Sequence, residues 1–216
     1  MSKIKAVILD LDQTITTDQA SWLQFTQLLG ADSKIHTNIF ERFKSGEYSY
    51  PLAKAKLIEL WKSAHQLDRK GISEIFTNIK LRPGVFEAIE YLKLKYKLCV
   101  ISGAINVFVD VIANKLLITD RFAATKFIFD ENNILVDFEY KLSRGEEKLE
   151  FLKLFCEKYN YKFEECAAIG DGESDQPIFD VVGLPILFLA EETSVNQKNL
   201  IQTHLSNWRN IKLIGL

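Results

Sequence analysis

Short apolar runs alternate with segments of helical periodicity over most of this chain, and this alternation constrains the fold more than any other feature. In the helical segments the apolar residues recur on one helix face, as Val85, Ile89 and Leu92 do before one of the apolar runs. Alternating strands and helices predict a parallel α/β sheet covered by helices on both faces. The predicted strands are residues 6–9, 98–101, 122–129, 166–169 and 186–189.

Polar or glycine-containing segments follow three of the predicted strands at the point where each strand ends. These segments are Asp10-Leu11-Asp12, Ser102-Gly103 and Gly170-Asp171. Parallel α/β sheets bind their ligands beyond the carboxyl ends of the strands. We therefore expect the functional site at this edge of the sheet.

The segment from residue 16 to residue 80 breaks the alternation, because it contains helical patterns without a convincing strand. One helical stripe includes Ile72 and Phe76, and another includes Trp22 and Phe25. We interpret residues 16–80 as a helical cap domain inserted into a core domain of residues 1–15 and 81–216. The aromatic residues of the cap either form its core, which is the commoner role, or shape a substrate pocket.

Two asparagines separate two runs of β-forming character. Asn132 and Asn133 lie between residues 126–129 and residues 134–140. Asparagine tolerates the left-handed backbone conformation that tight hairpin turns require. The sequence therefore predicts a small β-hairpin that projects from the main sheet.

The charge balance gives no general reason for the chain to bind polyanions. Lysine and arginine total 27 and aspartate and glutamate total 29, which leaves a net charge of −2. We therefore expect neither nucleic acid nor an anionic membrane as a partner. No apolar stretch reaches the roughly 18 residues that a membrane span needs. The three cysteines follow no disulfide or zinc-ligand spacing, so a reducing cytoplasm is the expected location.

Four polar motifs occur in order along the chain, and the set is far more specific than any one of them. They are Asp10-Leu11-Asp12-Gln13-Thr14, Ser102-Gly103, Lys148 and Gly170-Asp171-Gly172-Glu173-Ser174-Asp175. With this set the chain resembles the haloacid dehalogenase superfamily, and most closely its phosphoserine phosphatase-like branch. The spacing of 23 positions from Lys148 to Asp171, counted as 171 minus 148, is common in that branch. The resemblance implies a Rossmann-like core with a helical cap inserted after the first motif.

The resemblance also implies hydrolysis of a phosphate monoester through a covalent aspartyl phosphate. Asp10 would be the nucleophile. Asp12 would protonate the leaving group and then take a proton from the attacking water. Ser102, Gly103 and Lys148 would bind the phosphate oxygens.

Magnesium is the cofactor that the resemblance implies. The expected ligands are the side chains of Asp10, Asp171 and Asp175 and the backbone carbonyl of Asp12, and such hard oxygen ligands suit Mg²⁺. A divalent cation would cancel the repulsion between a carboxylate nucleophile and an anionic phosphate. A calcium-binding EF-hand loop is excluded, because the acidic segment follows a predicted strand and lacks the terminal Glu.

Several of these residues also have a purely structural interpretation. Ser102 would suit the N-cap of a following helix, and Lys148 would suit the solvated face of a helix. The acidic loop would suit an ordinary turn that leads into a helix. The occurrence of all four motifs in order favours the functional interpretation.

The substrate is less constrained than the chemistry. A small phosphorylated metabolite is expected, with phosphoserine or a related compound as candidates. The branch usually places a Glu near the position of Gln19 and an Arg in the cap, but residues 43–68 contain no Arg. Gln19 and Arg42 are therefore candidate substrate contacts, with Lys54 as a further replacement for the missing Arg. The alternatives in function are a phosphotransferase with the same intermediate and a regulatory domain that binds phosphate without turnover.

Overall fold

The computed structural model describes residues 3–17, 19–64, 67–140, 145–189, 203–214 and 216. Its strands are β1 (Ala6–Leu9), β2 (Lys97–Ile105), β3 (Asp120–Phe129), β4 (Leu135–Tyr140), β5 (Cys166–Gly170), β6 (Leu184–Phe188) and β7 (His204–Leu205). Its α-helices are α1 (Ser21–Leu28), α2 (Ser33–Lys44), α3 (Tyr50–Ala64), α4 (Arg69–Thr77), α5 (Val85–Lys93), α6 (Asn106–Lys115), α7 (Glu146–Tyr159) and α8 (Gln176–Phe179). No helix within these ranges is both long and apolar enough to cross a membrane.

The strands pair into one sheet in the order β4-β3-β2-β1-β5-β6-β7. β4 is antiparallel to β3, and the other neighbouring strands are parallel. β1 lies in the middle, with Leu9 in register with Val100 of β2 and with Ile169 of β5. The chain proceeds to one side of β1 through β2 and β3 and to the other through β5 and β6, which creates a topological switch point. The predicted parallel α/β fold is confirmed.

β1 is buried on both faces, as its continuous apolar sequence predicts. Val7 and Leu9 belong to the hydrophobic core formed with α5 and α6. Ala6 and Ile8 belong to the core formed with α7 and α8. Helices therefore cover both sides of the sheet and give the three predicted layers.

β2 is longer than its apolar run predicts. We expected it to end at Ile101, but it continues to Ile105. Its pairing with β3 shifts between Ser102 and Ile105, so the strand bulges around Gly103. A glycine offers no side chain for packing and commonly marks such a bulge. The interpretation of Ser102 as a helix N-cap is wrong, because α6 begins only at Asn106.

The segment predicted as a cap contains α1, α2, α3 and α4. The chain enters and leaves it at one place, where Thr16 and Leu81 form an antiparallel bridge. Its hydrophobic core is continuous with that of the main sheet, because the ring of Phe76 in α4 lies 5.3 Å from the ring of Phe108 in α6. The division into a core domain and a separate cap at residues 16–80 stays a prediction.

The predicted hairpin is formed by β3 and β4, with Asn133 in the left-handed conformation at a φ of 60°. It extends from the main sheet, because the first half of β3 pairs with β2. It also packs against the helical segment. The Leu135 N–H donates to the Leu67 carbonyl at 2.8 Å, and the Phe138 ring lies 5.1 Å from the Trp22 ring. The hairpin therefore contributes to the interior of the helical segment.

Aromatic side chains form the core of the helical segment. Phe25 and Trp61 are fully buried, and their ring centroids are 5.2 Å apart. A polar network lies among them, in which Trp61 Nε1–H donates to Thr26 Oγ1 at 2.9 Å. The same Oγ1 is 2.5 Å from Nδ1 of His36. Burial lowers the pKa of His36 to about 4, so this network is uncharged at neutral pH.

Candidate active site

The carboxyl ends of β1, β2 and β5 meet at one edge of the sheet and bring the sequence motifs together. Asp10 follows β1, and its backbone N–H donates to the Ile169 carbonyl of β5 at 3.0 Å. Asp171 follows β5 directly. The parallel register of β1 with β2 carries Ser102 to the same edge. These residues therefore meet at the carboxyl edge of the sheet, where the sequence predicts the site.

Lys148 connects the first motif to the acidic loop. It lies in the first turn of α7 and is 2% exposed, so the interpretation as a solvated lysine is wrong. Its Nζ donates to Asp10 Oδ1 at 2.9 Å and to Asp175 Oδ1 at 2.7 Å. A third bond, to Ser174 Oγ, measures 3.1 Å, so the partners match the three donors of an ammonium group. Burial lowers the pKa of Lys148, but the charges of Asp10 and Asp175 outweigh it and hold the pKa above its ordinary value.

Two glycines make room for this arrangement. A Cβ atom on Gly170, the last residue of β5, would overlap the carboxylate of Asp175. A Cβ atom on Gly145, the residue before α7, would overlap the backbone oxygen of Ser174. Gly145 also has a φ of 93°, which is strained for any residue with a side chain. Glycine at both positions lets β5 and α7 approach the acidic loop.

Asp10, Asp171 and Asp175 form a compact cluster, in which one carboxylate oxygen of each lies within 4.8 Å of the others. Burial, reinforced by the neighbouring negative charges, raises the pKa of Asp10 and that of Asp171 above the usual range. A divalent cation among them would remove this repulsion. Three hard oxygen donors at such separations fit the chemistry that Mg²⁺ requires.

Asp12 lies outside the cluster. Its carboxylate accepts two hydrogen bonds from Ser21, one from the backbone N–H to Oδ1 at 3.0 Å and one from the hydroxyl to Oδ2 at 2.8 Å. Ser21 thus binds both oxygens of the Asp12 side chain, and the role of the Asp12 backbone carbonyl as a metal ligand stays a prediction. Burial and the charge of Asp10 raise the pKa of Asp12 to about 7. A carboxyl group that titrates near neutrality suits a group that gives and takes a proton.

Ser102 and Gly103 lie in the bulged end of β2. Ser102 is buried, and its Oγ accepts a hydrogen bond from the Ala104 N–H at 3.3 Å. The Gly103 carbonyl accepts a hydrogen bond from Thr125 Oγ1 at 2.8 Å, which ties the bulge to β3. The space beside Gly103 is open, since an added Cβ atom would meet nothing within 4 Å. A ligand has room to approach the backbone there, and the phosphate contacts themselves stay a prediction.

A pocket of about 490 Å³ lies between α1, α2, α3 and the hairpin. Ala20 and Trp22 line it, and Ser21, which lies between them in the chain, binds the carboxylate of Asp12. Aromatic side chains dominate its wall, namely Trp22, Phe40, Phe43, Tyr50, Phe138 and Tyr140.

The two predicted cap contacts lie in different places. Gln19 lines the pocket. Arg42 is not among the described residues that line it, and its guanidinium binds Glu47 and the Tyr48 hydroxyl. The same guanidinium lies over the Tyr48 ring, 4.2 Å from the centroid. The structure therefore places Gln19, and not Arg42, in the wall of this pocket, and their roles as substrate contacts stay predictions.

No sequence pattern indicated Ser21 as a partner of Asp12. Serine is common at helix starts, and nothing in the nine-residue separation points to a contact with the first motif. Ser174, by contrast, lies inside the acidic motif, and its position next to Asp175 could have suggested a contact with Lys148. Trp22 was placed in the aromatic stripe of the cap, and it does line the pocket.

A known family matches this fold and arrangement. A family model described as haloacid dehalogenase-like hydrolase matches residues 4–179. The chain therefore belongs to the haloacid dehalogenase-like hydrolases, as its motifs predict.

Individual relatives are more specific in their activity. The phosphoserine phosphatase of Archaeoglobus fulgidus is 23% identical over 205 residues, which cover 91% of this chain and 58% of that protein. The phosphoserine phosphatase of Campylobacter jejuni subsp. doylei is 27% identical over 203 residues, which cover 91% of this chain and 93% of that protein. A solved phospho-aspartyl intermediate analogue of phosphoserine phosphatase has a TM-score of 0.71 and 21% identity, over 98% of this chain and 99% of that chain. The family model therefore makes this chain a haloacid dehalogenase-like hydrolase, and the similar proteins named here are phosphatases.

Proposed function

We propose that this hydrolase is a phosphatase, which hydrolyses the phosphate monoester of a small metabolite with Mg²⁺ through a phosphorylated Asp10. The observation that carries the proposal is the surroundings of Asp10. Its carboxylate forms an ion pair with Lys148 at 2.9 Å and belongs to the cluster with Asp171 and Asp175. With a divalent cation bound among the three aspartates, Asp10 would have positive charge on both sides, which is what an anionic nucleophile needs in order to approach an anionic phosphate.

The reaction has two steps. In the first, an Asp10 oxygen attacks phosphorus, the bond from phosphorus to the ester oxygen breaks, and Asp12 in its acid form protonates the departing alcohol. In the second, the Asp12 carboxylate takes a proton from water while the water oxygen attacks the acyl phosphate. The bond from Asp10 to phosphorus then breaks, phosphate leaves, and both aspartates return to their starting states.

The other candidate residues bind and position the phosphate. The three clustered aspartates would hold Mg²⁺, which when bound neutralises charge on the phosphate. The Ser102 hydroxyl and the Gly103 N–H would donate to the non-bridging oxygens, and Lys148 would add a positive charge. Removal of one such donor typically costs about 3 to 4 kcal/mol of transition-state stabilisation.

Residues 16–80 would act as a cap over this site. The contact of Ser21 with Asp12 supports this role, because it connects α1 directly to the proton carrier. A cap that covers the phosphate would exclude water until the phosphoenzyme has formed. The names of the similar proteins support a phosphorylated small molecule as the substrate.

Replacement of Asp10 tests the proposal directly. Asp10→Asn should lower the release of phosphate from p-nitrophenyl phosphate in the presence of Mg²⁺ by at least about a thousandfold, because an amide is a poor nucleophile. Asp180→Asn is the matched control, since Asp180 is exposed and lies outside the cluster. Circular dichroism would show that both variants fold. Unchanged turnover in Asp10→Asn would exclude the mechanism.

A second variant separates the two steps. With p-nitrophenyl phosphate the leaving group needs no proton, so Asp12→Asn should form the phosphoenzyme and then fail to hydrolyse it. A hydroxylamine-labile phosphate label on the protein would therefore accumulate. In the unmodified protein, transfer of phosphate to an added alcohol in preference to water would indicate a phosphotransferase instead.

A further inference from the structure

The pocket between α1, α2, α3 and the hairpin has an aromatic wall. Among the described residues that line it, the one charged group is already bound to a partner within the protein. No acidic side chain occurs among the described residues that line it. His36 lines it as a neutral group, because burial lowers its pKa to about 4. The ammonium of Lys54 also lines it, but this group is bound to Asp137 at 2.8 Å and to the Phe138 carbonyl at 3.3 Å.

An amino-acid leaving group does not suit this wall. Its ammonium and carboxylate would lose water without gaining a free opposite charge among the described lining residues. A cationic group without a carboxylate fits no better. The rings of Tyr50 and Phe138 already face the Lys54 ammonium, which lies 5.6 Å and 5.9 Å from their centroids and would repel a second cation.

An uncharged apolar group suits the wall well. It would displace water from aromatic faces, which is favourable, and it would stack against rings such as Trp22 and Tyr140. The volume of about 490 Å³ lies within the range of roughly 300 to 1,000 Å³ found for small-molecule sites. Gln19 and Thr37 offer a few polar contacts beside these apolar surfaces.

The position of the pocket connects it to the reaction. Ala20 and Trp22 line it, and Ser21 between them binds the carboxylate of Asp12. Asp12 is the group that would protonate the ester oxygen of the substrate. A substrate with its ester oxygen at Asp12 would therefore direct the remainder of its alcohol towards the pocket.

We infer that this pocket binds the leaving group of the substrate, and that the leaving group is an uncharged alcohol with an aromatic or similarly bulky apolar body. The inference rests on the proposed function, because it assigns the substrate class of the same site. It makes phosphoserine, the substrate named for the similar proteins, a poor substrate of this chain.

A comparison of four esters tests the inference. They are 2-phenylethyl phosphate, ethyl phosphate, O-phosphoserine and phosphocholine, and all of them release a primary alcohol. With Mg²⁺ present, kcat/KM for 2-phenylethyl phosphate should exceed each of the others by at least about tenfold. Equal or better hydrolysis of O-phosphoserine or phosphocholine would overturn the inference and leave the proposed phosphatase mechanism intact.

A matched pair of variants locates the effect in the pocket. Phe40 lines the pocket and is 50% exposed, whereas Phe86 in α5 is 48% exposed and is not among the lining residues. Phe40→Ala should reduce the ratio of kcat/KM for 2-phenylethyl phosphate to that for ethyl phosphate by about tenfold. Phe86→Ala should leave this ratio unchanged. The same ratio in both variants would contradict the inference.

A binding measurement does not depend on turnover. Saturation-transfer NMR with 2-phenylethanol and the full chain should show binding, and Phe40→Ala should weaken it more than Phe86→Ala does. Binding of the alcohol without hydrolysis of any ester would support the pocket and refute the proposed function. Hydrolysis of the esters without binding of the alcohol would refute the pocket and support the function.

Discussion

Ser21 binds both carboxylate oxygens of Asp12, so the proposed proton carrier is bonded to α1, the first helix of the predicted cap. One of these bonds comes from a backbone N–H at the start of α1, where the N–H groups have no partner within the helix. The other comes from the serine hydroxyl. A displacement of α1 would therefore move Asp12 or leave its carboxylate without partners.

Ser21→Ala should lower kcat by about ten- to a hundredfold, because it removes a hydrogen bond to an ionised group worth about 1.5 to 3 kcal/mol. The hydroxyl stabilises the carboxylate form, so its loss should raise the pKa of Asp12 and shift the pH–rate profile to higher pH. Ser33→Ala changes the first residue of α2 in the same way and should leave both quantities unchanged. An unshifted profile in Ser21→Ala would remove Ser21 from the mechanism.

Gly170→Ala should weaken Mg²⁺ binding, because the added methyl group would displace the carboxylate of Asp175 from the cluster. Residues that orient metal ligands typically change the affinity by about ten- to a hundredfold. The Mg²⁺ concentration for half-maximal activity measures this change. Gly103→Ala, whose methyl group would point into open space, should not alter the Mg²⁺ requirement. Equal requirements in both variants would contradict the assignment of Asp175.

Lys148→Met should destabilise the protein in the absence of Mg²⁺ by about 3 to 5 kcal/mol, because two buried carboxylates lose their cation. Urea denaturation measures the loss in the free energy of unfolding. Mg²⁺ should restore part of it by supplying positive charge to Asp10 and Asp175. Lys93→Met, which removes a surface ion pair with Glu90, should cost no more than about 1 kcal/mol. A similar cost for both variants would mean that the buried pairs contribute little.

His36 should make the protein less stable as the pH falls. Its pKa is about 4 when folded and 6.5 as an ordinary side chain, so on acidification the unfolded chain takes up the proton first. Stability should therefore fall between about pH 6.5 and pH 4, by on the order of 2 to 3 kcal/mol. His36→Gln should lack the part of this loss of stability that comes from His36. The carboxylates titrate in both proteins and therefore do not account for a difference between them. Denaturation at pH 7 and pH 4.5 compares them, and an equal loss in both would refute the prediction.

The strands that carry the motifs could be predicted because the apolar pattern that identifies each strand lies within the strand itself. β1 is a continuous apolar run that is preceded by Lys5 and followed by Asp10, and its predicted bounds of 6–9 match Ala6–Leu9. The presence of Asp10, Ser102 and Asp171 at one edge follows from a parallel sheet, in which strand ends meet. The resemblance to a known family supplied the roles that spacing alone left open.

The features that the sequence did not predict depend on contacts between distant segments. The extension of β2 past Ile101 results from pairing with β3, which no local pattern of residues 98–105 encodes. The bond of Asp12 to Ser21 depends on the path of the chain into α1. The aromatic pocket needs side chains from three helices and from the hairpin, and Phe138 lies far from Trp22 in the sequence.

The bridge between Thr16 and Leu81 has a consequence for engineering. It places the two ends of the intervening polypeptide side by side, and the entropic cost of closing a loop grows only slowly with its length. Inserted segments of different length and fold should therefore be tolerated between Thr16 and Leu81. A foreign insert that covers the apolar surface around Phe108 could be grafted at this point to redirect specificity, while the strands that carry the aspartates keep their own sequence.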